Sequence, residues 1–414
     1  MKENLDEESV KANKSALHLF NPAHDLSLAN YSPTYMPPAS ACRLSVDLSL
    51  LPVWYARPED MVLASSLYNI PFLREKQALF LELPHLLMEP EVATTPNLIP
   101  APWGWNPAVH KYLLSLGIPV EMLPNKEQLA TIRTQSHRLF AVNVLPALQL
   151  NDNFCGESFY LTNTNDIRHF VENHETCLLK APLSGSGKGL NWCRNVYTPV
   201  INRWSEHAIN RQGGVVAEPI YNKVMDFAML FYAAGDGNVS FAGYSLFRTR
   251  TNGVYESNVL LPDEMIERRL ANYVPLEALR ELRLCLEKEL SMRLSHIYTG
   301  YLGTDMMICR FADAPEYRIH PCVEVNLRMT MGVVARLFYD RYVQPEAEGV
   351  FKVNYSSSPD QLAAEHLHLL KEYPLQVSGG KIIAGYLSLA PITPHSHYAA
   401  SVLLCKAHCY KSLK

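Results

Sequence analysis

Two stretches far apart in the chain carry residue types suited to holding a phosphate and a divalent cation. The first, Leu178 to Leu190, reads Leu-Leu-Lys-Ala-Pro-Leu-Ser-Gly-Ser-Gly-Lys-Gly-Leu. Small residues let a backbone turn tightly and approach a ligand. Successive N–H groups in such a turn form a concave donor surface for an anion. Lys180 stands at its entrance, and Ser184, Gly185, Ser186, Gly187 and Lys188 supply hydroxyls, N–H groups and a second positive charge. The spacing is not that of the Walker loop, which needs glycine where Pro182 stands and Ser or Thr where Gly189 stands. Nor does a helix open after the loop, as a dinucleotide fingerprint requires. Asn191, Trp192 and Cys193 read as a returning strand. The expectation is a glycine-rich flap between two antiparallel strands, and the alternative is an ordinary Gly-Ser hairpin turn.

The second stretch, Val323 to Leu327, reads Val-Glu-Val-Asn-Leu. In a strand, period two points Glu324 and Asn326 to one face. Asp305 lies in another apolar run, Gly300 to Cys309. If the two runs pair, two carboxylates and an amide oxygen meet, and hard oxygen ligands suit Mg²⁺ bridging nucleotide phosphates. The alternative is a solvated sheet face carrying unrelated polar residues.

The elements that would position these groups follow from periodicity and punctuation. Ala16 to Phe20 reads as a first strand, turned by Asn21-Pro22 and followed by His24 and Asp25. A strand followed by a polar loop is where an α/β sheet places ligand groups. His24 and Asp25 either face a substrate, or Asp25 caps a short helix and His24 is exposed. Met61 to Ala64 reads as a second strand, and Pro96 to Pro102 as a proline-rich connection. Asn106 and Pro107 are a good N-cap and first helical residue, with Gly117 as the stop. Asn125 with Gln128 has the spacing of a capping box. Cys177 to Leu179 and Val215 to Ala217 are short apolar strands. Two β-rich runs flank Gly235-Asp236-Gly237, a hairpin signal, and Arg248 stands at the end of the second. Glu264 to Ser295 reads as one long amphipathic helical stretch. Phe311 to His320 reads as a polar hairpin connection. Pro359 to Tyr373 reads as a helix, Lys381 to Leu389 and Tyr398 to Leu404 as strands. His395 and His397 sit in a proline-rich turn.

A length of 414 residues favours roughly two or three domains. The boundaries expected are a disordered tail over 1–15, a small α/β layer domain over 16–134, a flap-bearing subdomain over 135–220, and a subdomain with the metal site and a C-terminal extension over 221–414. Hydrophobic content of 48% and charged content of 19% are those of a globular chain. A formal net charge of −4 gives no electrostatic case for nucleic acid or an anionic membrane. Nine scattered cysteines and no secretory signal fit a reducing cytoplasm.

In motif order, Ser136 to Leu337 resembles the ATP-grasp superfamily, the group of glutathione synthetase and D-alanine–D-alanine ligase. The resemblance implies an α/β (α+β) fold in which an N-terminal α/β domain precedes two α+β subdomains gripping ATP. It assigns Lys180 to the α- and β-phosphates and Ser184 to Gly189 to the closing flap. Glu218 becomes the hinge carboxylate near adenine, with Pro219 and Ile220 lining the base and Asp226 on the ribose. Asp305, Glu324 and Asn326 become the ligands of Mg²⁺, with Mn²⁺ as a substitute. Peptide-forming members place an arginine two residues before the metal Asp, where this chain has Gly303. Arg328 and Arg248 are therefore the candidates to stabilise the transferred phosphoryl group, and Arg138 the candidate for the first lysine of the central domain. The resemblance implies an ATP-dependent ligase joining a small carboxylate to an amine through an acyl phosphate. A kinase of the same fold and a nucleotide-binding module without turnover are the alternatives. By analogy, a homodimer is expected.

Overall fold

The computed structural model describes residues 14–64, 66–80, 82–185, 189–250, 253–294 and 296–406. The expected tail therefore lies outside the described residues except for its last two positions, and Ser15 already opens the first strand. Three sheets organise the chain.

The N-terminal sheet has four parallel strands, in the order His85–Met88, Met61–Ala64, Ser15–Leu19, Leu98–Pro102. Most of the proline-rich Pro96 to Pro102 segment, Leu98–Pro102, is thus a strand rather than a connection. Pro100 and Pro102 face Leu17 and Leu19 in register. They are tolerated because the strand is at the sheet edge, where a missing N–H leaves no second partner unpaired. The helices that follow obey their caps. Asn106 accepts from the N–H groups of Ala108 and Val109, and Asn125 with Gln128 closes a capping box.

The second sheet carries the strands on either side of the glycine-rich loop, the expected flap. Its order is Phe159–Leu161, Val215–Pro219, Cys177–Lys180, Leu190–Cys193, all antiparallel. The strands on either side of the glycine-rich loop pair antiparallel, Lys180 opposite Leu190. Ser186, Gly187 and Lys188 lie outside the described residues. Ile167, Val171, Leu179 and Ala217 form a small core beneath this sheet with its two helices, Thr164–Glu172 and Pro199–Gln212.

The third sheet has nine strands. In order across it they are Tyr317–Asn326, Gly300–Arg310, Lys223–Ala233, Val239–Thr249, Tyr255–Leu260, Ala347–Tyr355, Tyr398–Lys406, Lys381–Ser388 and Gln376–Ser378. One face packs Phe227, Met229 and Phe231 against the helices Leu139–Leu148 and Leu276–Leu294. The other packs Ala228 and Leu230 against the helix Met331–Tyr342 and, through Trp54 and Phe80, against the N-terminal layer. Two expectations need correction here. The stretch Glu264 to Ser295 is two helices, Asp263–Leu270 and Leu276–Leu294, because Pro275 cannot continue the first. Tyr317 to His320 belongs to a strand, since pairing with Arg310, Cys309, Ile308 and Met307 satisfies its backbone. Among the described residues, no helix is long and apolar enough to cross a membrane.

Candidate functional site

The register of the third sheet sets the site. Asp305 lies directly opposite Glu324, and Asn326 opposite Gly303. Side chains in register share a face, so the three polar residues converge. Asn326 donates its amide N–H to Asp305 Oδ2 at 3.0 Å. Burial, and then the Glu324 carboxylate, push Asp305 up to about 7. A buried, raised carboxyl facing a second carboxylate is a donor set that a hard cation relieves. Mg²⁺ fits these residues.

Arg138 ties this set to the flap sheet. It sits at the start of the helix Leu139–Leu148, and its guanidinium reaches Glu324 at 3.1 Å. The same group donates to Ser184 Oγ at 2.6 Å and to the Ala181 carbonyl. Lys180 and Glu218 lie on adjacent strands of the flap sheet, on one face, with Nζ to Oε2 at 2.5 Å. Both are buried, and Ser158 Oγ donates to the other Glu218 oxygen at 3.0 Å.

The third contact comes from the N-terminal layer. Asp25 receives two parallel N–H bonds from Arg328, both at 2.8 Å. Such fork geometry is the strong form of a carboxylate–guanidinium pair. Burial is the largest single influence and pushes Asp25 upward, but Arg328, His24 and Arg138 together outweigh it, and the net shift is down. A Cβ on Gly185, the flap residue, would stand 3.3 Å from Asp25. His24 is 1% exposed beside it. Burial, opposed by Asp25 and reinforced by Arg328, lowers His24 to about 4, so its ring is neutral at pH 7. Gly104 lies flat on that ring, where a Cβ would meet Nδ1 at 2.5 Å. The exposed-His24 expectation is therefore wrong, and Asp25 caps no helix through its side chain. Its carboxylate is spent on Arg328, across 303 positions of sequence.

The other expected residues scatter more. Pro219 ends the Glu218 strand, and Ile220 beyond it is exposed. Asp226 lies opposite Met307, held by Lys223 at 2.5 Å and Thr249 at 2.8 Å. Arg248 is exposed and makes no hydrogen bond or ion pair with Lys180, Glu218, Asp305, Glu324 or Asn326. Strand alternation turns it away from Phe247 and Thr249, which lie beside Asp226. The structure does not bring it to the cluster. His395 is exposed, and His397 is taken by Ser356 and Asp47, so the pair builds no ligand set. Sequence reasoning missed His320, which lies opposite Met307 and is fully buried with neither ring nitrogen hydrogen-bonded. No sequence signal marks it.

No family model and no curated protein matches the sequence. Solved structures do match in shape. Biotin carboxylase from Campylobacter jejuni, in a β-γ-ATP complex, superposes on 96% of this chain and 88% of its own, with TM-score 0.51 and 10% identity. The chain has the ATP-grasp fold. Pyruvate carboxylase from Rhizobium etli gives TM-score 0.50 at 11% identity, over 95% of this chain and 36% of that one. N5-carboxyaminoimidazole synthetase from Staphylococcus aureus, complexed with ADP, gives 0.49 at 12% identity, over 96% and 95%. At such identities the likeness speaks for fold alone. Within this ATP-grasp fold, the flap sheet and the nine-stranded sheet meet at Arg138, and the N-terminal layer joins them at Asp25.

Proposed function

We propose that the protein is an ATP- and Mg²⁺-dependent ligase that joins a small carboxylate to an amine through an acyl phosphate. One observation carries the reading. Charged groups from the flap sheet, the nine-stranded sheet and the N-terminal layer, with Arg138 at a helix start between them, gather around the Asp305–Glu324 pair.

Asp305, Glu324 and Asn326 would hold Mg²⁺, which when bound neutralises charge on the transferred phosphoryl group. Lys180 and Arg138 supply positive charge on the flap side, where a metaphosphate-like transition state spreads its negative charge. Ser184 and the flap N–H groups act as preorganised donors. Arg328 binds the acid substrate by the fork that Asp25 now occupies. The substrate carboxylate attacks the γ-phosphorus of ATP, ADP leaves, and the amine then displaces orthophosphate from the acyl phosphate. No protein nucleophile is required. Glu218 with Pro219 and Ile220 would line the base, and Asp226 the ribose.

A kinase of the same fold is a second reading, and Gly303, which leaves the arginine of peptide-forming members without a counterpart, also keeps open a module that binds nucleotide without turnover. One assay separates them. ADP and orthophosphate are measured together, with Mg-ATP and pooled small carboxylates, with and without pooled amines. Phosphate release that needs both pools supports the ligase. ADP without phosphate, with a phosphorylated acceptor by mass spectrometry, makes it a kinase. Failure to bind Mg-ATP overturns both.

A further inference from the structure

A cavity of about 500 Å³ lies away from the Asp305–Glu324 pair, in the seam between the flap sheet and the rest of the chain. Its volume is that of a small-molecule pocket. One wall is Arg133 and His137 with the helix residue Phe140, joined by Arg293 from the helix Leu276–Leu294. The other is Arg211, Gln212, Tyr160 and Leu183, all from the flap-bearing lobe. No acidic side chain lines it among the described residues. In a chain of net charge −4, three arginines facing one cavity are a local reversal of sign.

These groups are not equally engaged. Arg133 donates to the Leu28 carbonyl at 2.9 Å and lies over the Tyr31 ring. Arg293 pairs with Glu289 at 3.0 Å. Arg211 has no hydrogen bond or ion pair among the described residues. His137 Nδ1 accepts from the Leu139 N–H, so Nε2 carries its proton, donated to the Gln212 carbonyl at 3.3 Å. Burial, reinforced by Arg133 and Arg138, lowers its pKa. It therefore acts in the cavity as a neutral donor already spent on the opposite lobe.

The cavity floor is the base of the flap. Gln212 Oε1 accepts from the Leu183 N–H at 2.6 Å, and the Arg138 N–H donates to the Pro182 carbonyl at 3.0 Å. The turn 136–138 thus faces two sites: His137 reaches into the seam, and Arg138 reaches Ser184 and Glu324. Arginines on opposite walls repel, which favours a wider seam. An anion bridging them reverses that preference and draws the flap lobe inward.

We propose that this seam is a second ligand site, for a small polyanion that bridges Arg211 to Arg133 and Arg293 and thereby biases the flap lobe. The ligand class is a compact molecule with at least two phosphate or carboxylate groups, and Phe140, Leu139 and Leu183 offer an apolar contact beside them. Because the seam and the nucleotide site share residues of the flap-bearing lobe, a ligand that shifts that lobe couples them reciprocally, so occupancy of the seam changes nucleotide affinity, and the reverse. The inference goes beyond the proposed reaction and does not need it.

The test is calorimetric titration of the full chain with citrate and, separately, inorganic pyrophosphate, without divalent metal and in about 0.15 M salt. The proteins are wild type, Arg211→Ala, Arg293→Ala and the exposed control Arg43→Ala. Saturable binding tighter than about 1 mM is expected for at least one anion. It should weaken about tenfold or more in the two seam variants and stay unchanged in Arg43→Ala. Comparing the two anions tells which acid group the seam prefers. Pyrophosphate also suits a nucleotide phosphate site, but Arg211 and Arg293 lie outside that site, so their effect identifies the seam. In wild type, the bound anion should shift ADP affinity by about 5- to 150-fold. Absence of saturable binding, or binding that both seam variants leave intact, overturns the site. Binding with no effect on ADP overturns its link to the flap. If ADP does not bind at all, the nucleotide reading fails while the anion titrations still decide the seam.

Discussion

Lys180→Met tests the buried pair at the heart of the flap sheet. The two side chains are 6% and 8% exposed, with Nζ and Oε2 at 2.5 Å. Removing the lysine leaves Glu218 with Ser158 Oγ as its side-chain partner. A buried carboxylate stripped of its counter-charge costs about 3–5 kcal/mol. With a urea slope of about 2 kcal/mol/M, the midpoint should fall by roughly 1.5–2.5 M. The double variant Lys180→Met, Glu218→Gln removes both charges and keeps the Ser158 contact, so most of that loss should return. The cycle is completed by Glu218→Gln alone, which strands the lysine instead. Unfolding is followed by circular dichroism and by the fluorescence of Trp192 and Trp204, both on the flap-bearing lobe. If Lys180→Met unfolds within about 0.5 kcal/mol of wild type, the pair is not the buried contact seen here, and the argument fails. Nucleotide binding separates structure from function in the same set. The double variant should be folded yet bind Mg-ATP weakly, because the charge meant for the phosphates is gone. Wild-type affinity in the double variant would remove Lys180 from the nucleotide site.

Glu324→Gln should keep the fold and lower Mg²⁺-dependent turnover by at least the ~10-fold that loss of an outer-shell metal partner costs, measured as ADP release against metal concentration. Asp305, raised to about 7, must lose its proton to bind metal. Mg²⁺ affinity by calorimetry should therefore fall about tenfold per pH unit below that value and level off above it, and a flat profile would refute the assignment. The sign for the metal-free protein is opposite to that of an ordinary salt-bridged carboxylate. The native state holds a proton that the unfolded chain has lost between about pH 4 and pH 7, so stability should decline as pH rises through that window. Arg248→Ala should leave nucleotide binding and turnover unchanged, and a loss of either would return that residue to the site. His320→Leu should be neutral or stabilising by up to about 2 kcal/mol in urea unfolding, because it removes two buried unpaired nitrogens.

The strands that carry Asp305, Glu324 and Asn326 were legible because a half-buried strand writes its faces in alternate residues. Val-Glu-Val-Asn-Leu states which way Glu324 points whatever its partner. Only pairing decides what it meets, and the register with Asp305 supplied that. The antiparallel strands on either side of the glycine-rich loop were legible for a similar local reason, since glycines and two lysines sit between two apolar runs. The partners of Asp25 and His24 were not legible. Asp25 meets Arg328 and His24 meets Gly104 only once three sheets have assembled. Local propensity says nothing about contacts 303 or 80 positions away. Pro100 and Pro102 misled because proline argues against a strand on average, and an edge position is a tertiary fact. Pro275 was a readable stop that the leucine periodicity on either side obscured.

The Asp25–Arg328 pair bears on how such a site works at all. The space among His24, Asp25, Ser184, Glu324 and Arg328 is about 10 Å³, room for about one water. If Arg328 takes the acid substrate as proposed, a carboxylate has no room to enter beside the pair. It must take the fork from Asp25, and the released Asp25 must find water or another donor. An unpaired carboxylate left in that setting is costly, so on the proposed reading acid entry at Arg328 is coupled to a rearrangement of Asp25 at the start of the helix His24–Asn30. In that helix Asp25 lies close to Gly185, and the Leu28 carbonyl accepts from Arg133. Displacement at Arg328 is therefore felt at the flap on one side and at the seam on the other. An enzyme that must admit an acid, close over ATP and exclude water needs those three events ordered. Here a single two-residue ion pair stands where all three elements touch.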